Sequence, residues 1–262
     1  MVMRSDESNQ KLTVGQQRIL KLLFKFRFVS AGLLAMVMGI RREGVYQVLE
    51  HLVSKGLVTK VYKEEWRIDR KPAYYYLNKS GVTVTRKVMD VKESVVHALY
   101  KNDEMTSDFV EHSLKLIQCY VSIMQHLPKG SDIFSKTEIN RFKQFPKNRP
   151  DLYIRTPEGK EAIVIIVDDK PLYIIRKRLD EIVTHSEDEG WSSDDYPHIC
   201  FILKDPSAKY SFLYATEKKL ESMGLEADEL PILAASIESF DKPTATPWSP
   251  PLKPKEYVKL FA

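Results

Sequence analysis

Residues 41–62 read RREGVYQVLEHLVSKGLVTKVY, and residues 66–77 continue as WRIDRKPAYYYL. In the first stretch Val45, Val48, Leu49 and Leu52 recur at three- and four-residue steps. One helical stripe therefore faces a core and leaves Arg41, Arg42, Tyr46 and Gln47 near the first turns. Leu57 to Tyr62 and Ala73 to Leu77 alternate like two strands, and the charged run Trp66–Lys71 joins them as a loop. Upstream, Thr13 caps an amphipathic run carrying Ile19, Leu20, Leu22, Leu23 and Phe26. Ser30 caps a second, short helix through Leu33, Leu34 and Met38, and Gly39 stops it at a turn that wants no Cβ. Three helices followed by a basic hairpin predict a winged helix-turn-helix over Leu12–Leu77. Its recognition helix starts near Arg41, and Trp66–Lys71 is its wing.

A recognition helix enters the major groove with its first turns, and the charge agrees with that use. Residues 1–90 hold seventeen Lys or Arg against eight Asp or Glu, a net +9 in a chain that is only +4 overall. Phosphate neutralisation by such residues supplies most nonspecific affinity. Double-stranded DNA is the predicted partner, contacted by Arg41, Arg42, Tyr46, Gln47, Lys60, Arg67, Arg70 and Lys71. The competing reading is a protein–protein adaptor with a solvated basic surface. Tyr74, Tyr75 and Tyr76 are read as strand packing that alternates in and out, because no histidine cluster stands by to make one of them a metal-assisted nucleophile.

The 262 residues, 43% of them hydrophobic, suit two small domains of an α+β chain. The expected division is a winged helix over 1–90, a helical linker over 91–128, a small α/β domain over 129–240 and a Pro-rich tail over 241–262. The linker contains a long bridging helix from about Thr106 to His126. Its apolar positions Phe109, Leu114, Ile117 and Val121 offer a homodimer face or a cover for a sheet. The tail ends in Tyr257–Phe261, apolar enough to dock on the body or on a partner. No run of eighteen apolar residues exists and Met1–Lys11 is polar, so no membrane partner and a cytoplasmic location are expected. Cys119 and Cys200, far apart in sequence, read as buried thiols.

From Ile133 onward strands and helices alternate: short strand 133–134, short helix 136–142, strands 152–155 and 162–167 around a Pro157-Glu158-Gly159 turn, helix 173–184, buried strand 198–203, helix 208–223 and strand 232–237. Arg176, Lys177 and Arg178 could track a phosphate backbone. The acid-rich stretch Asp180–Asp195 opposes an extended DNA surface there, and Glu187-Asp188-Glu189 and Asp194-Asp195 are expected to form an exposed loop around Trp191.

Pro150-Asp151 and Asp168-Asp169-Lys170 stand at the ends of the first two long strands, a spacing that resembles the PD-(D/E)xK pattern. The resemblance implies a restriction-endonuclease-like domain in which Asp151 and Asp168 hold Mg²⁺ or Mn²⁺. Lys170 would lie near the attacked phosphate, and Glu138 would supply an earlier acid. Carboxylates and phosphate oxygens suit such a cation. The bland alternative makes Asp168 and Asp169 the polar end of an apolar strand before Pro171.

A second resemblance spans nearly the whole chain. It rests on the Thr13–Arg27 helix, His51-Leu52-Val53-Ser54-Lys55-Gly56-Leu57-Val58, Tyr74-Tyr75-Tyr76-Leu77-Asn78-Lys79-Ser80-Gly81 and Glu111-His112-Ser113-Leu114. Together they resemble the replication-relaxation family, winged-helix proteins of plasmids and other mobile elements that include MobC-like mobilisation proteins. The family pattern sets Pro-Asp before an apolar strand ending in Glu-x-Asp. Asp168 on the final Asp puts Ile166 in place of the Glu, whereas the D-x-K alignment shifts by two residues. The resemblance implies a DNA-binding mobilisation or replication accessory whose partners include other mobilisation or replication proteins. A Mg²⁺-dependent nicking endonuclease and a transcriptional regulator of the same element are the alternatives. Glu111 and His112 either face the second domain's acids or are ordinary polar residues of the bridging helix.

Overall fold

The computed structural model describes residues 12–87, 93–167, 169–187, 191, 196–225, 230–241 and 244–261. The chain divides into two compact units, Met1–Glu104 and Met105–Ala262.

The first unit contains α1 (Val14–Phe26), β1 (Phe28–Ser30), α2 (Ala31–Met38), α3 (Arg42–Ser54), β2 (Val58–Val61), β3 (Tyr74–Leu77), α4 (Lys79–Arg86) and α5 (Glu93–Leu99). The predicted caps are those found. Gln16 N–H donates to Thr13 Oγ1 at 3.3 Å while Thr13 N–H donates to Gln16 Oε1 at 3.0 Å, a reciprocal box that satisfies two orphan donors of α1. Ser30 Oγ accepts from Leu33 N–H at 3.3 Å, and Gly39 ends α2 in the left-handed conformation at φ 65°. The predicted stripes close over one core of Ile19, Leu20, Leu23, Leu34, Val45, Leu49 and Leu52.

β1 was not anticipated. It pairs antiparallel with β3, placing Phe28 opposite Tyr76, and β2 takes the other edge of β3, placing Val58 opposite Leu77. Both faces of β3 are covered here, Tyr76 by Phe28 and Tyr75 by α3, so the expected in-and-out alternation fails and both Tyr75 and Tyr76 are buried. Tyr76 packs on Phe28 at 5.3 Å between ring centroids, and the Tyr75 hydroxyl reaches Glu50 Oε1 on α3 at 3.5 Å. α4 starts at Lys79, because Asn78 Oδ1 accepts from Gly81 N–H at 3.0 Å and caps it. Residues after α5 fold back on this unit. Arg27 donates to Ala98 O at 2.9 Å and to Asn102 Oδ1 at 3.0 Å, and Asn102 Nδ2 donates to Leu77 O at 3.1 Å. The 91–128 segment is thus divided, with α5 in the first unit and the long helix in the second.

The second unit runs α6 (Ser107–His126), β4 (Asp132–Ser135), α7 (Lys136–Ile139), β5 (Leu152–Arg155), β6 (Glu161–Ile166), α8 (Leu172–Glu187), β7 (His198–Leu203), α9 (Pro206–Met223) and β8 (Ile232–Ser236). Its sheet has the order β4-β5-β6-β7-β8, antiparallel through β6 and parallel from β6 to β8. β6 and β7 are covered on both faces, as their unbroken apolar runs require. Ile163, Ile165, Phe201 and Leu203 pack with Ile175 and Leu179 of α8 and Phe212 and Leu213 of α9. On α6, Ile117 and Val121 are buried. Cys119 and Cys200 are buried free thiols, and burial pushes the Cys200 thiol well above its ordinary value. None of the described helices is long and apolar enough to cross a membrane.

Two further expectations change. Trp191 is buried: its Nε1–H donates to Glu161 Oε2 at 2.6 Å and its ring meets Phe145, Tyr153 and Tyr196. The acids at 188–190 and 192–195 lie outside the described residues. The Pro-rich segment docks on its own unit, where Ser249 exchanges two backbone hydrogen bonds with Ala234 of β8 and Trp248 and Leu260 are buried.

Gly81 is required by a close approach. A Cβ there would stand 1.9 Å from the Leu57 carbonyl oxygen, which is backbone and cannot step aside. Gly81→Ala should destabilise the first unit by roughly 1–3 kcal/mol. Lower hydrogen-exchange protection across β2 and β3, with β6 and β7 unchanged, is the expected readout.

Candidate functional site

α3 and the wing enclose a groove of about 610 Å³ lined by Arg42, Tyr46, Lys60, Tyr62, Trp66, Arg67, Arg70 and Lys71. The groove exists because β2 follows α3 after one turn and β3 returns beside it, so the hairpin stands next to the helix. On α3, Arg42 donates to the Tyr46 hydroxyl at 3.0 Å, while Arg41 and Gln47 are exposed. Lys60 lines the groove but is held by Glu50 at 2.7 Å, so its charge is largely spent locally. Arg67, Arg70 and Lys71 are exposed on the wing.

The list of predicted DNA contacts omitted two aromatic residues. Trp66 lies between Tyr62, 6.4 Å away and perpendicular, and Tyr74, 5.6 Å away, with Lys63 Nζ 5.8 Å from its ring. The interleaving of aromatic and basic residues from Tyr62 to Lys71 was the available signal. Burial holds the strand tyrosines in their neutral form. Burial, then Glu50, raises the Tyr75 phenol well above its ordinary value, and burial first of all raises Tyr74 and Tyr76.

The second cluster centres on Asp151, at the head of β5. The loop before it is pinned by Arg149 to Ile139 O at 3.2 Å and Asn140 Oδ1 at 2.7 Å, and by Arg178 to Arg149 O at 2.6 Å. Arg178 therefore turns inward and does not join Arg176 and Lys177 on the exposed side of α8. Asp151 is 4% exposed. Its Oδ2 accepts from Ile166 N–H at 2.8 Å, and its Oδ1 faces His112 Nε2 at 3.3 Å and Lys136 Nζ at 3.8 Å. Burial alone would raise its pKa, but the His112 hydrogen bond and charge, Lys136 and the Ile166 amide together hold it below the usual carboxylate range. Position 166, where the family pattern sets a Glu, meets Asp151 through its backbone.

The remaining predicted site residues lie as follows. Glu138 accepts from Ser135 N–H at 2.9 Å and closes the capping box of α7. Lys170 is exposed beyond β6, and its neighbour Asp169 pairs with Lys204 at 3.5 Å. Asp168 lies outside the described residues. Mg²⁺ or Mn²⁺ needs open oxygen lone pairs, whereas the Asp151 oxygens face an amide donor, a histidine and a lysine. Among the described residues no group of three or more His, Cys, Asp or Glu converges. Among the described residues, the groups around Asp151 are thus a backbone amide, a histidine and a lysine. His112, 39 residues from Asp151 in sequence, is the partner that spacing could not reveal.

These two units define a winged helix-turn-helix protein that carries a mixed α/β domain. The replication-relaxation family matches residues 20–175, and the chain belongs to that family. It is also similar to two solved structures. One is a mutant of MarR from E. coli complexed with operator DNA, at 18% identity over 46% of this chain and 79% of that one, with a TM-score of 0.28. The other is a mutant of ZitR from Lactococcus lactis, at 20% identity over 48% and 81%, with a TM-score of 0.28. No curated protein matches the chain.

Because the folded Asp151 pKa is depressed, the stability its ionisation contributes is complete above the unfolded-state value. It is lost as pH falls through the folded value, below about pH 4. His112→Ala should cost roughly 1–3 kcal/mol at pH 7 and move acid unfolding to higher pH, because the folded pKa rises when the partner is lost. Urea melts across a pH series check both effects; an unmoved acid transition would show that His112 does not support the charge.

Proposed function

We propose that the protein binds double-stranded DNA through its winged helix and acts in replication or mobilisation of a plasmid or other mobile element. In this reading the α/β unit is a nuclease-like scaffold that holds partner proteins. The observation that carries the DNA half is the groove between α3 and the wing, where Arg42, Arg67, Arg70 and Lys71 surround exposed aromatic edges. Membership of the replication-relaxation family supports the biological setting.

Two observations support the scaffold half. The order helix, three antiparallel strands, helix, parallel strand, with Asp151 at the head of the middle antiparallel strand, is the arrangement expected of a restriction-endonuclease-like core. The Asp151 carboxylate is neutralised by protein cations, which suits a retained fold without hydrolysis. A transcriptional regulator would use the same winged helix and differ only in where its operator lies.

Reversing Arg41, Arg42, Arg67 and Lys71 to Glu should weaken duplex binding by roughly 100-fold or more at physiological salt and flatten its salt dependence. Undiminished binding in a fluorescence-anisotropy titration would remove the DNA reading. Supercoiled plasmid incubated with the protein and Mg²⁺ or Mn²⁺ should remain supercoiled. Metal-dependent nicking that disappears in Asp151→Asn would replace the scaffold by an endonuclease.

A further inference from the structure

We infer that Ile68, at the tip of the wing, is a wedge that enters the minor groove and bends the bound duplex at a deformable base step. This deepens the DNA-binding reading above and rests on it. Ile68 is 86% exposed and lies in the exposed run Arg67-Ile68-Asp69-Arg70, with an arginine on one side and an aspartate then an arginine on the other. A lone exposed isoleucine on a loose loop would mean nothing, but this tip is built. Ile68 N–H donates to Glu65 O at 3.2 Å, Arg70 N–H to Arg67 O at 3.4 Å and Lys71 N–H to Trp66 O at 2.9 Å. Arg70 closes the turn in the left-handed region at φ 52°, and Trp66 at its base is braced by Tyr62 and Tyr74. A stiff, β-branched side chain is therefore held outward with little rotamer freedom left to lose on insertion.

The placement follows from the groove. With α3 in the major groove and one backbone strand between α3 and the wing, the tip crosses that strand and arrives in the adjacent minor groove. Arginines beside an apolar side chain form the combination that reads minor-groove width and unstacks a base step, kinking the duplex. Pyrimidine–purine steps such as TA and CA/TG yield most easily. The ligand is thus a duplex with such a step about half a helical turn from the recognition-helix contact. Specificity at that step would come from deformability, without a base hydrogen bond.

The test uses the full chain and a short duplex that the protein selects from a random pool, labelled at both ends for energy transfer. Wild type should draw the ends together. Ile68→Ala should bind within about threefold but leave the duplex straighter, and Ile68→Met should keep the bend. A single mismatch at the step, which removes the unstacking cost, should restore bending to Ile68→Ala. Wild type binding without bending, or Ile68→Ala bending as wild type does, overturns the wedge alone. A wild type that fails to bind duplex overturns both the wedge and the DNA reading.

Discussion

β3 is hydrogen-bonded along both edges, and the geometry of the winged helix depends on that. A two-stranded hairpin is marginal by itself in water; the three residues of β1 turn this one into a sheet rooted in the helical core. The price is a non-glycine residue at positive φ, Arg27 at 66°, where the chain leaves α1 to enter β1. Such a conformation costs about 1–3 kcal/mol. Hydrogen bonds from its guanidinium to Ala98 and Asn102 hold it, which is why residues past position 90 belong to the first unit. The chain Tyr75, Glu50, Lys60 then fixes the wing against α3 on the other side of the sheet.

The α/β unit depends in turn on a buried negative charge. Asp151 ties the β5–β6 hairpin to α6 through His112 and to the β4–α7 corner through Lys136. A buried ion pair is weak evidence for stability, but removing one partner leaves the other stranded. The carboxylate is turned toward neighbouring elements, so its charge joins α6, the β5–β6 hairpin and the β4–α7 corner.

Much of this was legible because it is local. Thr13, Ser30 and Gly39 announce their helix ends within three residues, and the apolar runs of β6 and β7 can only be strands covered on both faces. What was not legible is non-local. Phe28–Ser30 has no periodicity to mark it as a strand until β3 lies beside it. Trp191 sits among acids in sequence, so composition predicted a solvated loop; its hydrogen bond to Glu161 comes from a strand 30 residues earlier. Glu111-His112 could be singled out as a pair, but only the folded register says that His112 reaches Asp151. Lys136 carries no signal at all, since it is the corner after β4 that brings its ammonium within 4 Å.

The docked C-terminal segment has a consequence for how this protein coexists with copies of itself. An open edge strand is a template on which another chain can grow a ladder. β8 is such an edge, apolar from Ile232 to Ala235, and Ser249 occupies its outer side at Ala234 while Lys209 Nζ fastens Ser249 Oγ at 3.2 Å. The opposite edge, β4, is only four residues long and opens on the exposed charge of Asp132. With one margin covered and the other short and charged, the sheet has little room for continuation from molecule to molecule, which favours a protein that can reach high local concentration without setting into fibres.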